Sequence, residues 1–275
     1  MKQTNTTKTY NTCVLYSGQL RTWKRAIDSH IKIFKQYDNV TIFCHFWASE
    51  NESNIQEFQN YLKSKLNCEI HIEKTEEPIE IIKEKMIQLP NSKFINNSLW
   101  MIYGMTNVYN KSINANKHYD FFIRARYDIE FIGQLIEPHN NLVLYHDWAN
   151  KKVYFDGFFI LQNKNAKSFY KNFLDNYILI AEKSRYVCPE FIISFLLYKS
   201  GLNTKLSIKN KQFKVSILRN FEPSQIFSTH IDRNIKKLIG SNIDMIARLD
   251  KPKLYILMPT KINKYLFGNV FKRVF

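Results

Sequence analysis

The sequence contains little glycine or proline: each contributes 7 of the 275 residues. This scarcity excludes collagen-like architecture and a chain built from flexible linkers. Long apolar runs are also missing. No stretch approaches the length of a transmembrane helix, and the polar segment 1–10 lacks the apolar core of a signal peptide. We therefore expect a cytoplasmic, unsecreted protein.

Clustered cysteines are absent as well. The four cysteines, Cys13, Cys44, Cys68 and Cys188, are far apart and form no CxxC pair or Cys/His cluster. Zinc sites and redox motifs depend on close spacing of such residues, so neither is indicated. Most of the cysteines lie in or beside apolar, strand-like segments, where a thiol behaves as a small buried apolar group. We expect them to be reduced and part of the core.

Acidic residues are outnumbered: 24 Asp and Glu stand against 40 Lys and Arg, which gives a formal net charge of +16. This excess favours an anionic partner such as nucleic acid, an acidic membrane surface or a phosphorylated substrate. Nucleic-acid binding is an alternative function on charge alone. No helix-turn-helix, zinc, RRM or KH signature accompanies the charge, and we expect no nucleic-acid partner.

Strand-like and helix-like segments alternate along most of the chain. Apolar runs rich in β-branched and aromatic residues predict strands, and apolar residues at helical spacing predict helices. The predicted strands are 12–17, 40–47, 68–72, 119–125, 142–145, 153–161 and 213–218, and the predicted helices are 23–37, 55–66, 78–89, 94–117, 164–183, 189–200 and 231–247. This alternation predicts an α/β fold with a Rossmann-type, mostly parallel central sheet flanked by helices, followed by an irregular C-terminal portion.

The end of the chain differs in composition from the rest. We expect one domain over residues 1–250 and a basic amphipathic tail over residues 251–275. The tail has no acidic residue, and its cations are interleaved with apolar and aromatic side chains. Such a composition suits association with an anionic membrane surface. A C-terminal helix packed on the domain, with its lysines in water, is the alternative.

The first candidate site, Ser17-Gly18-Gln19-Leu20-Arg21, directly follows the first predicted strand. Ligands of open α/β sheets bind beyond the carboxyl ends of the strands. Gly18 permits close approach of the backbone to a ligand, and Arg21 can form paired bonds to phosphate. The start of the next helix also favours an anion. An ordinary strand-to-helix turn with a solvated arginine is the alternative.

The second candidate site is the run from Arg124 to Glu130, at the end of a mid-chain strand. Arg124 and Arg126 alternate onto one face of the strand and can grip phosphate. Asp128 and Glu130 can offer carboxylate oxygens to Mg²⁺ or Mn²⁺, with Asp128 the better ligand of the two. A charge-rich strand end without a ligand is the alternative.

Two further carboxylates stand in unusual places. Asp156 precedes Gly157 inside an apolar strand, where a carboxylate must be paired, hydrogen-bonded or part of a site. Glu190 follows Pro189 in the first turn of a predicted helix, where the helix dipole keeps it ionised and suited to act as a general base. Structural pairing of Asp156 and simple capping by Glu190 are the alternatives.

In this order the four motifs resemble a family of bacterial and viral polysaccharide glycosyltransferases, the lipopolysaccharide and capsule sugar-transfer enzymes with a GT-A fold. The similarity spans roughly residues 12–202, and its most specific parts are Ser17-Gly18-Gln19 with Arg21, and Arg124-x-Arg126-x-Asp128. The resemblance implies transfer of a sugar from a nucleoside-diphosphate donor, which we expect to be UDP-linked, to a hydroxyl of a glycan or glycolipid acceptor. A sugar-binding protein with a degenerate transferase fold is the alternative.

The resemblance also implies roles for individual residues. The expected nucleotide-sugar contacts are Ser17, Gly18, Gln19, Arg21, Arg124 and Arg126. Asp128 and Glu130 would hold Mn²⁺ or Mg²⁺ on the diphosphate, and Glu190, or failing that Asp156, would deprotonate the acceptor. The sequence departs from a full D-x-D motif because it offers Asp128-x-Glu130. One carboxylate and two arginines are therefore an alternative, metal-free way of holding the diphosphate.

The tail generates a prediction about membranes. Full-length protein should sediment with liposomes that contain anionic lipid, because the basic and aromatic residues of 251–275 can lie at the headgroup level. A version that ends near Lys251 should remain in the supernatant. Equal partitioning of the two proteins would exclude a tail anchor.

Overall fold

A computed structural model describes residues 9–76, 93–133, 135, 141–148 and 151–184, with shorter pieces at 192–193, 196–197, 214–217, 246–248 and 255–257. The strands are β1 (Asn11–Ser17), β2 (Asn39–Trp47), β3 (Glu69–Thr75), β4 (Phe121–Ala125), β5 (Ile129–Ile132), β6 (Leu142–Trp148), β7 (Lys151–Gln162), β8 (Lys214–Ile217), β9 (Ile246–Arg248) and β10 (Tyr255–Leu257). The helices are α1 (Trp23–Phe34), α2 (Glu52–Lys65), α3 (Lys93–Asn114), α4 (Asn163–Tyr170) and α5 (Phe173–Ser184).

The central sheet has six strands in the order β3-β2-β1-β4-β7-β6. β1 pairs in parallel with both β2 and β4, and β2 pairs in parallel with β3. β7 runs antiparallel to both β4 and β6. The prediction of an α/β fold with a mostly parallel central sheet is confirmed. Two further antiparallel pairs, β5 with β8 and β9 with β10, lie apart from this sheet.

Helices cover both faces of the sheet, as the buried strands require. Within β1, Cys13 and Leu15 pack into one apolar cluster, and Val14 and Tyr16 into the other. The first cluster contains the buried residues of α3, α4 and α5, and the second contains those of α1 and α2. The alternation along β1 therefore separates two cores, each closed by helices. Cys13 and Cys44 are buried free thiols, as expected, and Cys68 is partly exposed.

One predicted helix is broken in the structure. The segment 164–183 forms two helices, α4 and α5, which are separated at Lys171 and Asn172. Asn172 has a positive φ of 52°, a conformation that ends a helix and that asparagine tolerates better than most residues. The sequence predicted one continuous helix because apolar residues continue on both sides of this turn, and that prediction was wrong.

Several predicted elements lie outside the described residues. These are the helix 78–89, almost all of 189–200, which includes Glu190, and the tail 251–275 apart from 255–257. The predicted helix 231–247 also lies mostly outside the described residues. Only its last two residues are described, and they belong to β9. Within the described part of the chain, no helix is long and apolar enough to cross a membrane.

Helix α3 approaches the sheet closely at Gly104. A Cβ atom at Gly104 would lie 3.0 Å from His45 Nδ1 and 3.3 Å from Ser17 Cβ. Both Ser17 and His45 are buried at the carboxyl ends of their strands, in direct cross-strand register. The missing side chain therefore lets α3 cover the ends of β1 and β2.

This contact predicts the effect of filling the space. Gly104→Val should lower the free energy of unfolding by about 1–3 kcal/mol, because the new methyl groups overpack a fixed ring and a strand. Urea denaturation monitored by circular dichroism measures the change. Asn110→Val places the same side chain at an exposed position of α3 and should cost only a few tenths of a kcal/mol. Equal stability of the two variants would contradict the close approach.

Candidate active site

The two most specific sequence motifs leave the sheet side by side. β1 and β4 are parallel neighbours, with Tyr16 opposite Ala125. The loops that begin at Gly18 and Arg126 therefore emerge at the same end of the sheet, where the carboxyl ends of these strands lie. β2 and β3 extend the sheet on the far side of β1, which makes the β1/β4 boundary the point where the strand order reverses. Open α/β sheets bind ligands at such a point. We call the space between the two loops the crevice.

The loop after β1 has the features that an anion site needs. Gly18 has a φ of +132°, which only glycine adopts without strain, and a Cβ there would lie 3.9 Å from the Tyr127 ring of the neighbouring loop. Gln19 and Arg21 are exposed. The first turn of α1 contains no acidic residue, and the N-cap Thr22 makes no side-chain capping hydrogen bond. The positive end of α1 follows this loop directly, and the Glu50 carboxylate accepts a hydrogen bond from the backbone N–H of Leu20 in the loop at 3.3 Å.

Arg124 lies beneath the crevice and not on its surface. Its side chain is fully buried, and its guanidinium donates hydrogen bonds to the backbone carbonyls of Leu15, Ser17 and Ala125. Burial lowers the pKa of Arg124 to about 10, so the side chain stays charged at neutral pH. This geometry does not provide the expected direct contact between Arg124 and the nucleotide sugar. Arg124 instead ties the ends of β1 and β4 together.

Arg126, Asp128 and Asp156 form one charged cluster. Arg126 binds Asp128 with two hydrogen bonds, Nε to Oδ1 at 2.8 Å and a terminal nitrogen to Oδ2 at 2.7 Å. Another nitrogen of the same guanidinium lies 3.9 Å from an oxygen of Asp156, whose side chain is 5% exposed. The backbone N–H of Arg126 donates to the carbonyl of Gly157 at 3.0 Å. The structure thus brings together the second candidate site and Asp156.

Glu130, the second predicted metal ligand, follows Asp128 by two residues. It is inside β5, opposite Ser216 of β8, and it is half-buried. Among the residues that the structure describes, no group of three or more His, Cys, Asp or Glu side chains is arranged to hold a metal ion. Both oxygens of Asp128 accept hydrogen bonds from Arg126, so this carboxylate as arranged does not fit a divalent cation. The metal site stays a prediction.

Side chains of helix α1 form hydrogen bonds with the backbone of the segment that follows Asp128. Ser29 Oγ accepts a hydrogen bond from the backbone N–H of Phe131 at 2.9 Å, and His30 Nε2 lies 2.6 Å from the carbonyl of Ile129. The carbonyl can only accept, so Nε2 carries the proton and Nδ1 accepts from the Tyr16 hydroxyl. Side chains of α1 therefore position the backbone that carries Asp128.

Sequence reasoning missed His30, although a signal existed. His30 lies three residues after Ile27 and four before Phe34, both on the buried face of α1, so helical spacing places it among core residues. It is fully buried, and burial lowers its pKa to about 4. A polar ring at a core position indicates a specific hydrogen-bonding role, which the structure supplies through Ile129 and Tyr16.

Comparisons with known proteins give a fold-level likeness only. No protein-family model and no curated protein matches the chain. Among solved structures, core-mannan synthase A of Aspergillus fumigatus in a Mn/GDP form matches with a TM-score of 0.41, 10% identity and 82% of each chain covered. The PaToxG glycosyltransferase matches with a TM-score of 0.36, 15% identity and 69% of each chain covered.

A third solved structure, the glycosyltransferase GlyE of Streptococcus pneumoniae, matches with a TM-score of 0.39 and 12% identity. The match covers 84% of this chain and 50% of that one. All three structures bear the name of a glycan synthase or glycosyltransferase. At these scores we draw no argument from the matches, and the function has to be argued from the residues of this chain.

The burial of His30 predicts a pH dependence of stability. The ordinary pKa of 6.5 falls to about 4 in the folded protein, so between these values the unfolded chain binds the extra proton. Stability should therefore fall as the pH decreases from 6.5 to 4, by up to ~3 kcal/mol from this residue. Buried His45, whose pKa is also lowered to about 4, adds to the same slope.

A substitution isolates the share of His30. His30→Gln keeps an N–H that can donate to Ile129 but removes the titration, so the slope of unfolding free energy against pH should be shallower than in the unsubstituted protein. Urea denaturation at pH values from 7 to 4.5 measures both slopes. His118→Gln, at a side chain that is 73% exposed, should leave the slope unchanged. Identical slopes for all three proteins would contradict the assignment.

Proposed function

We propose that this chain is a glycosyltransferase of the GT-A type that binds the diphosphate of a nucleotide sugar in the crevice. One observation carries the proposal: the parallel pairing of β1 with β4 sets the Gly18–Arg21 loop beside the Arg126–Asp128 loop at the strand-order reversal. The charge and shape of these loops suit a diphosphate. Exposed Arg21, the start of α1 and the glycine at a positive φ all favour a bound anion.

The donor would be held mainly by the loop after β1. Gly18 lets the ligand approach the backbone, Gln19 can donate to phosphate or sugar hydroxyls, and Arg21 offers two parallel N–H groups to phosphate oxygens. Ser17 contributes its backbone, because its side chain is buried against α3. Arg124 supports this loop from below through the carbonyl of Ser17. We propose UDP as the nucleotide of the donor.

Catalysis would depend on stabilising the departing diphosphate. Negative charge develops on the diphosphate as its bond to the anomeric carbon of the sugar breaks and the new glycosidic bond to the acceptor forms, and cations placed beside the diphosphate lower that barrier. Arg21 and Arg126 are the cations that flank the crevice. The predicted Mn²⁺ or Mg²⁺ would supply the same electrostatic stabilisation through Asp128, with Glu130 as a second ligand.

The acceptor hydroxyl needs a base. We propose Glu190 for this role, as its sequence position after Pro189 indicates a first-turn carboxylate. Asp156 is the alternative, although its side chain is almost fully buried and faces Arg126. The proposed acceptor is a glycan or glycolipid of a surface polysaccharide, lipopolysaccharide or capsule, reached from the cytoplasmic face of a membrane to which the basic tail would bind.

Two other functions remain distinguishable by experiment. A nucleic-acid-binding protein would give a gel shift at physiological salt concentration that weakens steeply as salt is added. A degenerate, non-catalytic fold would bind a nucleotide sugar without turning it over. The direct test of the proposal is a panel of nucleotide sugars, with release of free nucleoside diphosphate as the readout. Release from at least one donor supports a transferase, and release from none contradicts it.

Asp128 provides a sharper prediction with the active donor. Asp128→Ala should lower the rate of transfer by about a hundredfold or more, because it removes the carboxylate that positions Arg126 and is the predicted metal ligand. Circular dichroism and thermal unfolding should show that the variant is folded. Asp38→Ala is the control and should keep full activity. This exposed aspartate lies just before β2, at the amino ends of the parallel strands and so at the end of the sheet opposite the crevice. Full activity of Asp128→Ala at saturating donor would remove Asp128 from the site.

A further inference from the structure

Tyr127 stands between Arg126 and Asp128 in the chain, yet its side chain is enclosed. The side chains of Arg126 and Asp128 are 24% and 13% exposed, whereas Tyr127 is 1% exposed. We propose that Tyr127 is a positioning residue of the crevice, whose buried ring holds the loop after β4 in contact with the loop after β1. This coupling rests on the packing of the ring, and its consequence for a diphosphate rests on the proposed function.

Tyr127 belongs to a stack of four rings from four different segments, which we call the aromatic stack. Its members are His30 of α1, Tyr16 of β1, Tyr127 and Phe46 of β2. Successive ring planes differ by only 3°, 11° and 18°, and the centroids are 5.6, 4.9 and 5.2 Å apart. All four residues are almost completely buried. Parallel, offset rings at these separations attract one another, so the aromatic stack ties the loop after β4 to α1, β1 and β2.

The Tyr127 ring makes a connection that the sheet itself lacks. β4 is hydrogen-bonded to β1 but not to β2, whereas Tyr127 reaches past β1 to the ring of Phe46. Its hydroxyl donates to the carbonyl of His45 at 3.4 Å and interacts with the thiol of Cys44. That distance is long for an O–H···O bond, and a thiol is a weak partner. The ring therefore contributes more to the anchoring than the hydroxyl does.

The loop after β1 lies against the same ring. A Cβ atom at Gly18 would be 3.9 Å from the Tyr127 ring, which is ordinary van der Waals contact. Tyr16, whose ring is stacked on Tyr127, lies two residues before Gly18 in β1. One side chain thus belongs to the loop of Asp128 and contacts the loop of Arg21. Removing the ring takes away a contact on which both loops depend.

Hydrogen bonds connect the aromatic stack to the backbone beyond Asp128. The hydroxyl of Tyr16 donates to His30 Nδ1, and His30 Nε2 donates to the carbonyl of Ile129 at 2.6 Å. The backbone is therefore held on each side of Asp128, by a buried ring at Tyr127 and by a hydrogen bond at Ile129. If the proposed function holds, this arrangement keeps Arg126 and Asp128 within reach of a diphosphate that is bound at Gly18.

Hydrogen exchange of the full-length protein, measured by mass spectrometry, tests the coupling without a ligand. Tyr127→Leu keeps an apolar side chain but removes the ring. Peptides that cover 17–22 and 126–131 should then exchange roughly tenfold faster than in the unsubstituted protein, because both loops lose contacts. Tyr127→Phe keeps the ring and should restore exchange to within about threefold of the unsubstituted rate. Unchanged exchange of 17–22 in Tyr127→Leu would overturn the coupling.

Tyr37→Leu is the matched control for a general loss of stability. Tyr37 is also buried and belongs to the same apolar cluster as Tyr127. It lies between α1 and β2, at the amino ends of the parallel strands and so at the end of the sheet opposite the crevice. This variant should leave exchange of 17–22 and 126–131 within about threefold of the unsubstituted rate. Equal acceleration in Tyr37→Leu and Tyr127→Leu would overturn the positioning role.

A second variant keeps the test valid if Tyr127→Leu fails to fold, which thermal unfolding reveals. Phe46 belongs to neither loop and is stacked on Tyr127 from the β2 side. Phe46→Leu should therefore speed exchange of 126–131 by roughly threefold or more, because the Tyr127 ring loses a stacking partner. Exchange of 126–131 that stays at the unsubstituted rate would overturn the coupling.

The proposed function and the role of Tyr127 fail in different ways. UDP is the probe, and its binding is measured by isothermal titration calorimetry. Tyr127→Leu should raise the Kd for UDP roughly tenfold, and Tyr37→Leu should leave it unchanged. Donor turnover with the same Kd in all variants would refute the role of Tyr127 and leave the transferase function standing. Faster exchange of both peptides, in a protein that neither binds UDP nor turns over a nucleotide sugar, would support the coupling and refute the function.

Discussion

The crevice depends on one buried cation. Arg124 is fully enclosed, and its terminal nitrogens donate hydrogen bonds to backbone carbonyls at the ends of β1 and β4. A buried charge is costly unless its donors are used, so this arrangement is stable only when both strands end where they do. The side chain therefore fixes the relative position of the loops that start at Gly18 and Arg126. Every proposed contact with a diphosphate depends on that spacing.

A second set of interactions positions the charged side chains at the crevice. Arg126 joins Asp128 to Asp156, so carboxylates from two strands are held at one point. His30 and Ser29 of α1 hold the backbone just beyond Asp128, where β5 also pairs with β8. The helix that begins at the crevice with its positive end thus also positions the carboxylate on the crevice's other wall. Loss of His30 would disturb both features at once.

Much of the fold was predictable because strand burial leaves a strong local pattern. The runs at β1, β2 and β4 are mostly apolar, and such runs indicate central strands of a parallel sheet. Which strands are neighbours is a long-range property, so the joining of Arg126 to Asp156 could not be read from the sequence. The same limit explains Arg124: alternation placed it on the face of Arg126, but the sequence does not show that α3 closes over that face. Glu130 was grouped with Asp128 by spacing alone; the sequence does not show that the turn ends at Asp128 and that Glu130 lies in β5, which pairs with β8.

The central claim is that a diphosphate lies between the loop of Arg21 and the loop of Asp128. A crystal structure of the protein soaked with a nucleoside diphosphate measures this directly. The account predicts phosphate oxygens within hydrogen-bonding distance of Arg21 and the Gly18 backbone, on the side that faces the Arg126–Asp128 loop. Phosphate density elsewhere on the protein, away from both loops, would contradict it.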